Sequence, residues 1–94
     1  MTPDEVRATI AGGESGRTAF CPAPGDGLAR AAAALANAEG GTVLLGVSPD
    51  GTVRGAPDGD PAAGLAAKLG LRCSPERVEL DAGTVVVIAI PRAP

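Results

Sequence analysis

Three arginines have the type and placing for binding chemistry: Arg17, Arg30 and Arg54. A guanidinium presents a planar fork of donors that matches a phosphate group. Arg17 and Arg30 precede, and Arg54 lies near the end of, one ordered stretch, "ALANAEGGTVLLGVSPDGTVRGA", which runs from Ala34 to Ala56. They are the candidates for phosphate contact in a nucleic-acid-binding surface. The bland alternative is a scattered solvated surface, because Asp26, Glu39, Asp50 and Asp58 stand nearby and oppose a basic patch. Other chemistries find less support. Cys21 and Cys73 stand far apart, form no CxxC and have no second ligand cluster beside them, so they read as two free thiols of a reducing compartment. The glycine pair Gly40 and Gly41 suggests a phosphate loop, but the order is wrong. A phosphate loop runs strand, glycines, helix, whereas these glycines follow a helix and precede a strand, with no Gly-Lys-Ser/Thr. The sequence therefore points to no cofactor and no metal.

Composition narrows the classes further. The 94 residues contain no His, Trp or Tyr, and Phe20 is the single aromatic. The lack of His removes the commonest general base and metal ligand. The lack of aromatics removes the stacking platform of most single-strand binders. Phe20 itself reads as core. Formal net charge is −3 and the pI is about 4.7, whereas a dedicated nucleic-acid binder is usually basic. Hydrophobic residues make up 45% of the chain, so the composition is globular, although much of that share is alanine and brings little burial per residue. No signal peptide is visible at the acidic start, and the run "VVVIAI" is too short to span a bilayer. The expected setting is a soluble, cytoplasmic protein.

The elements that must position these residues can be read in order. "TPDEVRATIAGG" is a first helix, with Thr2 as N-cap, Pro3 at the first helical position, and Gly12 and Gly13 as stop. "GRTAFC" is a first strand. A second helix runs from a cap at Asp26 to about Glu39, with Leu28, Ala31, Ala32 and Leu35 as its buried stripe. Gly40 or Gly41 closes it in the left-handed conformation, and Asn37 lies in its last turn as a groove contact or an ordinary helix-end residue. "TVLLGV" is a central strand, covered on both faces. "SPDG" turns, and "TVRGA" returns as its antiparallel partner. A third helix is capped by Asp60, opened by Pro61 and stopped by Gly70, with Ala62, Leu65, Ala66 and Leu69 facing inward. "ERVEL" and "TVVVIAI" pair as a hairpin, and Pro91 and Pro94 end strand pairing. The expected fold class is α+β: a single small domain over 1–94, a mixed or antiparallel sheet with helices packed on it, in the order α-β-α-β-β-α-β-β.

The ordered stretch resembles the "AFANTxGGxLLxGVxDDGxVxG" signature of the Schlafen AlbA-like domain family. Upstream, "IAGGESGRTAFC" resembles that family's "GESxxxEFK" opening, and downstream "LRCSPERVELDAGTVVVIAIPRAP" resembles its "I.P.....v....g..vl.i.Vp.s" tail. The resemblance implies a DNA-binding type of domain, whose bacterial members are catalogued as transcriptional regulators or ATP-binding proteins. For nuclease members it implies a carboxylate cluster that holds a divalent metal. Glu14 matches the first carboxylate; Ala19 stands at the second and cannot ligate; Cys21 stands where a Lys is usual; Ser48 stands where Asp is frequent, with Asp50 remaining in the turn. The residual acidic positions, Glu14 and Asp50, are too few for a hard cation. Glu14 alternatively reads as a solvated or helix-terminal partner at the Gly13–Ser15 turn. The resemblance also implies a closing "YiRxGs" segment absent after Pro94. The expectation that follows is an open sheet edge covered by self-association, hence a homodimer.

The resulting expectation is a non-catalytic nucleic-acid-associated or regulatory module that binds DNA or RNA. A protein-interaction module that has lost nucleic acid is the alternative, and a metal-dependent nuclease is third.

Overall fold

The computed structural model describes residues 1–57, 59, 61–70 and 72–92. Its elements are α1 (Pro3–Gly12), β1 (Thr18–Cys21), α2 (Asp26–Asn37), β2 (Gly41–Leu45), α3 (Pro61–Leu69), β3 (Ser74–Leu80) and β4 (Gly83–Ile90). The strands form one mixed sheet in the order β1-β2-β4-β3. β1 and β2 are parallel and joined by α2, while β2–β4 and β3–β4 are antiparallel. This is the expected α+β class.

Local sequence sets most of these boundaries. Thr2 and Glu5 form a reciprocal capping box at the start of α1, with Pro3 beside it. Helix α2 begins one residue earlier than a cap at Asp26 would place it: Gly25 is the N-cap, so Asp26 lies inside the helix. Its end comes at Asn37. Gly40 takes φ 81°, and its N–H returns to Leu35 O at 2.7 Å. A Cβ on Gly40 would meet Ile90 O at 2.7 Å, and one on Gly41 would collide with the carbonyl of Arg17. The double glycine is thus a packing requirement at the entry to β2. Pro61 opens α3 and Gly70, at φ 66°, follows its end. The expected cap Asp60, the side chains of Ala62 and Ala66, and Pro94 lie outside the described residues.

The sheet is covered on both faces, which explains the unbroken apolar runs of β2 and β4. Val43 and Leu45 of β2 and Val86, Ile88 and Ile90 of β4 meet Leu28, Ala32, Leu35 and Ala36 of α2 and Leu65 of α3. Leu44, Val85 and Val87 point the other way, towards Val6 of α1, with Phe20 and Val78 beside them. Phe20 is buried, as read.

One expected element is reduced. "TVRGA" forms no strand; it touches β2's extension through a single bridge, Val47 to Val53. The reason is topological. Both edges of β2 are already occupied, by β1 and β4. The returning chain can therefore pair only beyond Leu45, and there Gly46, at φ 100°, turns the backbone away. It is held instead by Arg54 N and Gly55 N on Gly46 O and by Ala56 N on Thr84 O.

Both edge strands carry features that oppose further pairing. On β1, Ser15 pairs with Thr18 and the Glu14 carboxylate accepts from Phe20 N. On β3, Pro75 cannot donate, and Glu76, Arg77 and Glu79 are exposed. Charges and proline on an edge oppose strand addition.

Candidate nucleic-acid interface

Two of the candidate arginines are anchored at opposite ends of β2. Arg17 precedes β1, and its carbonyl accepts from Thr42 N at the entry of β2. Arg54 lies past the exit, its N–H on Gly46 O at 2.6 Å. The strand from Thr42 to Gly46 separates them by about 13 Å at some 3.3 Å per residue. Arg30 is exposed in the second turn of α2.

Their electrostatic settings also differ. Arg17 forms an ion pair with Glu39 at the helix exit, and both side chains are exposed. Such a pair contributes little to stability, but it offsets the charge. Lys68 lies 3.5 Å from Asp26, and Arg7 lies 3.0 Å from Asp4. The opposition foreseen from Asp26 and Glu39 is therefore specific pairing; Asp58 lies outside the described residues. Arg54 is held differently. Its Nε donates to Ser48 Oγ at 2.9 Å, and Ser48 is buried.

The turn that carries Ser48 is tightly bonded. Ser48 N donates to Thr52 O and Gly51 N to Ser48 O, both at 2.8 Å. The Asp50 carboxylate accepts from Thr52 N at 2.9 Å. That bond holds the Asp50 carboxyl below its ordinary range, with a smaller contribution from the Arg54 charge. Asp50 is thereby a turn-forming residue first.

Glu14 has a definite partner too. Its Oε1 accepts from Phe20 N at 2.8 Å, which satisfies an edge-strand donor that would otherwise face solvent. The family's first carboxylate position thus bonds β1, while Ala19, at the second, packs against the cluster beneath α2. Among the described residues, no three His, Cys, Asp or Glu side chains gather. Cys21 is buried, and its thiol donates to Ala23 O at 2.9 Å; burial pushes its pKa up. Burial raises the Cys73 thiol as well. Both cysteines are free. Asn37 is exposed.

Two side chains escaped the sequence reading as contributors. In the sequence Ser48 is only a departure from a family pattern, and nothing in "SPDG" announces that its hydroxyl reaches Arg54. Arg77 reads as one charge in an alternating strand. It donates to Pro57 O at 2.6 Å and Gly59 O at 3.4 Å, tying the segment before α3 to the sheet. An apolar groove of about 290 Å³ also opens between the end of α1, Val53 and the β3–β4 turn, lined by Ile10, Ala11, Val53, Leu80 and Ala82 with Arg7 and Asp81.

A two-faced mixed sheet entered through a helix and a double glycine, with a Pro-Asp-Gly turn at its exit, defines a recognisable class of small domain. The chain belongs to the Schlafen, AlbA_2 family, whose profile matches residues 11–94. Among solved structures it is similar to the N-terminal domain of a RecG-related protein from Nitrosomonas europaea. That likeness has a TM-score of 0.67 at 19% identity and covers 100% of this chain and 75% of the other; at that identity it speaks for the fold alone. No curated protein matches. No helix among the described residues is long and apolar enough to cross a membrane.

Proposed function

We propose that this chain is a non-catalytic nucleic-acid-associated module that acts through phosphate contacts and not through a metal centre. The observation that carries the reading is family membership combined with the state of the acidic positions. The chain has the Schlafen, AlbA_2 framework, yet Glu14 is engaged by β1 and Asp50 by its own turn. The neighbouring fold comes from a protein whose name relates it to an ATP-dependent DNA helicase, which fits a nucleic-acid setting. Arg54 and Arg30 are the contacts best placed for this role, because Arg17 is paired with Glu39. Regulation of transcription would be one use of such a module.

Binding of labelled DNA and RNA at graded salt tests this. The expected outcome is weak binding that falls as salt rises, with a shallow slope set by few phosphate contacts. No retention even at low salt would overturn it. Incubating RNA with Mg²⁺ or Mn²⁺ is expected to leave it intact; cleavage that Glu14→Ala abolishes would restore the nuclease reading.

The apolar groove beside α1 favours a second reading, a protein-interaction module. Chemical-shift changes confined to Ile10, Val53 and Leu80 on adding a partner, with none at Arg54, would decide for it.

A further inference from the structure

We infer that Ser48 is a positioning residue that turns Arg54 into a fixed contact for a phosphodiester. The inference rests on the nucleic-acid reading above and deepens it. Ser48 is the buried polar residue among those described, 8% exposed. Its backbone N–H and carbonyl are both spent inside the turn, on Thr52 and Gly51. Its remaining polar group, the hydroxyl, accepts from Arg54 Nε at 2.9 Å. An arginine gripped at Nε loses freedom in its terminal torsions, yet its two outer nitrogens keep their four hydrogens. Those hydrogens form the fork that meets two phosphate oxygens.

The acceptor's chemistry matters as much as its position. A hydroxyl orients the guanidinium without neutralising it; a carboxylate would do both. Among the described residues, no carboxylate oxygen lies within 4.0 Å of the Arg54 side chain, whereas Arg7, Arg17 and Lys68 each have one. Asp50 lowers the local potential from further off, with its Oδ1 accepting from Thr52 N. Among the described residues, Arg54 is therefore oriented and has no carboxylate partner, a combination that holding at Ser48 creates. Pre-ordering also reduces the side-chain entropy lost when a phosphate binds.

The test is a double-substitution cycle read by fluorescence anisotropy with a short fluorescein-labelled DNA strand, its RNA counterpart, and a poly-glutamate peptide, across a salt series. Arg54→Ala should weaken nucleic-acid binding about tenfold and lower the salt slope by about one contact. Ser48→Ala should weaken it about threefold with the slope unchanged, because the charge remains. Ser48→Thr, which keeps the hydroxyl, should restore it. With Arg54→Ala in place, adding Ser48→Ala should have no further effect. An equal loss from Ser48→Ala in both backgrounds would overturn the positioning role. Tighter binding of the peptide than of either nucleic acid would overturn the ligand class. If the unaltered protein binds neither strand, the functional reading fails, and the positioning role is judged separately by NMR. The Arg54 Nε–H signal should exchange slowly, respond to inorganic phosphate, and lose its protection in Ser48→Ala. A fast-exchanging or unresponsive signal would overturn it.

Discussion

At the residue scale, the carboxylates that invite a metal hypothesis have ordinary structural partners, and this can be measured. Glu14 supplies an acceptor for Phe20 N on the outer side of β1. Glu14→Ala leaves that N–H to water and removes a charge-assisted bond, so a loss of about 1 kcal/mol is expected in urea unfolding. Glu14→Gln keeps a carbonyl acceptor and should recover most of it. Mg²⁺ should not raise the stability of the unaltered protein, and a rise that Glu14→Ala removes would contradict the assignment. Asp50 gives a pH signature. Its folded-state carboxyl titrates below its unfolded-state value because of Thr52 N. Its stabilising contribution is therefore complete above the unfolded value of roughly 4 and is lost as pH falls through the lower folded value. Thermal melts should show an acid-side loss in the unaltered protein that is smaller in Asp50→Asn.

At the scale of elements, the entry to β2 is the tightest joint. Gly41 sits against the carbonyl of Arg17, where a side chain cannot fit. Gly41→Ala must push β1 away from β2 and disturb the Thr42–Arg17 hydrogen bond of 2.8 Å. A loss of about 1–3 kcal/mol is expected by denaturant titration. Gly12→Ala, in helix α1 where a Cβ meets nothing within 4 Å, is the control and should cost nothing, with a gain of up to about 1 kcal/mol. At the exit of β2, Arg54 and Ser48 are set by a turn braced against Thr84 of β4 through Ala56. The candidate contact thus depends on a hairpin distant in sequence.

At the scale of the whole molecule, a sheet buried on both faces makes each central side chain costly to lose. Leu44 is fully buried between α1 and the sheet. Leu44→Ala should cost about 2–5 kcal/mol. In a small domain, whose total stability is commonly of the order of 5–15 kcal/mol, that is a large share. Chemical unfolding checks it; a cost below about 1 kcal/mol would mean that the α1 side of the sheet is loosely packed. The groove beside α1 offers a half-buried apolar surface, so a protein partner's contact is expected to map there.

Much of this molecule is settled by local chemistry. Thr2, Pro3 and Glu5 encode a helix start wherever they occur, Gly40 encodes a stop, and the apolar runs of β2 and β4 encode strands covered on both faces. Those signals act over a few residues, so they can be read without the fold. The fate of "TVRGA" cannot: its composition is strand-like, but β1 and β4 take both edges of β2, and sheet order is a long-range outcome. The site behaves the same way. The residue types Arg17, Arg30 and Arg54 are visible in the chain, but their separation along the strand axis, the pairing of Arg17 with Glu39, and the grip of Ser48 on Arg54 arise only when distant segments meet. Periodicity and caps report what a residue does to its own neighbours; tertiary packing decides which charges are neutralised and which stay available to a ligand.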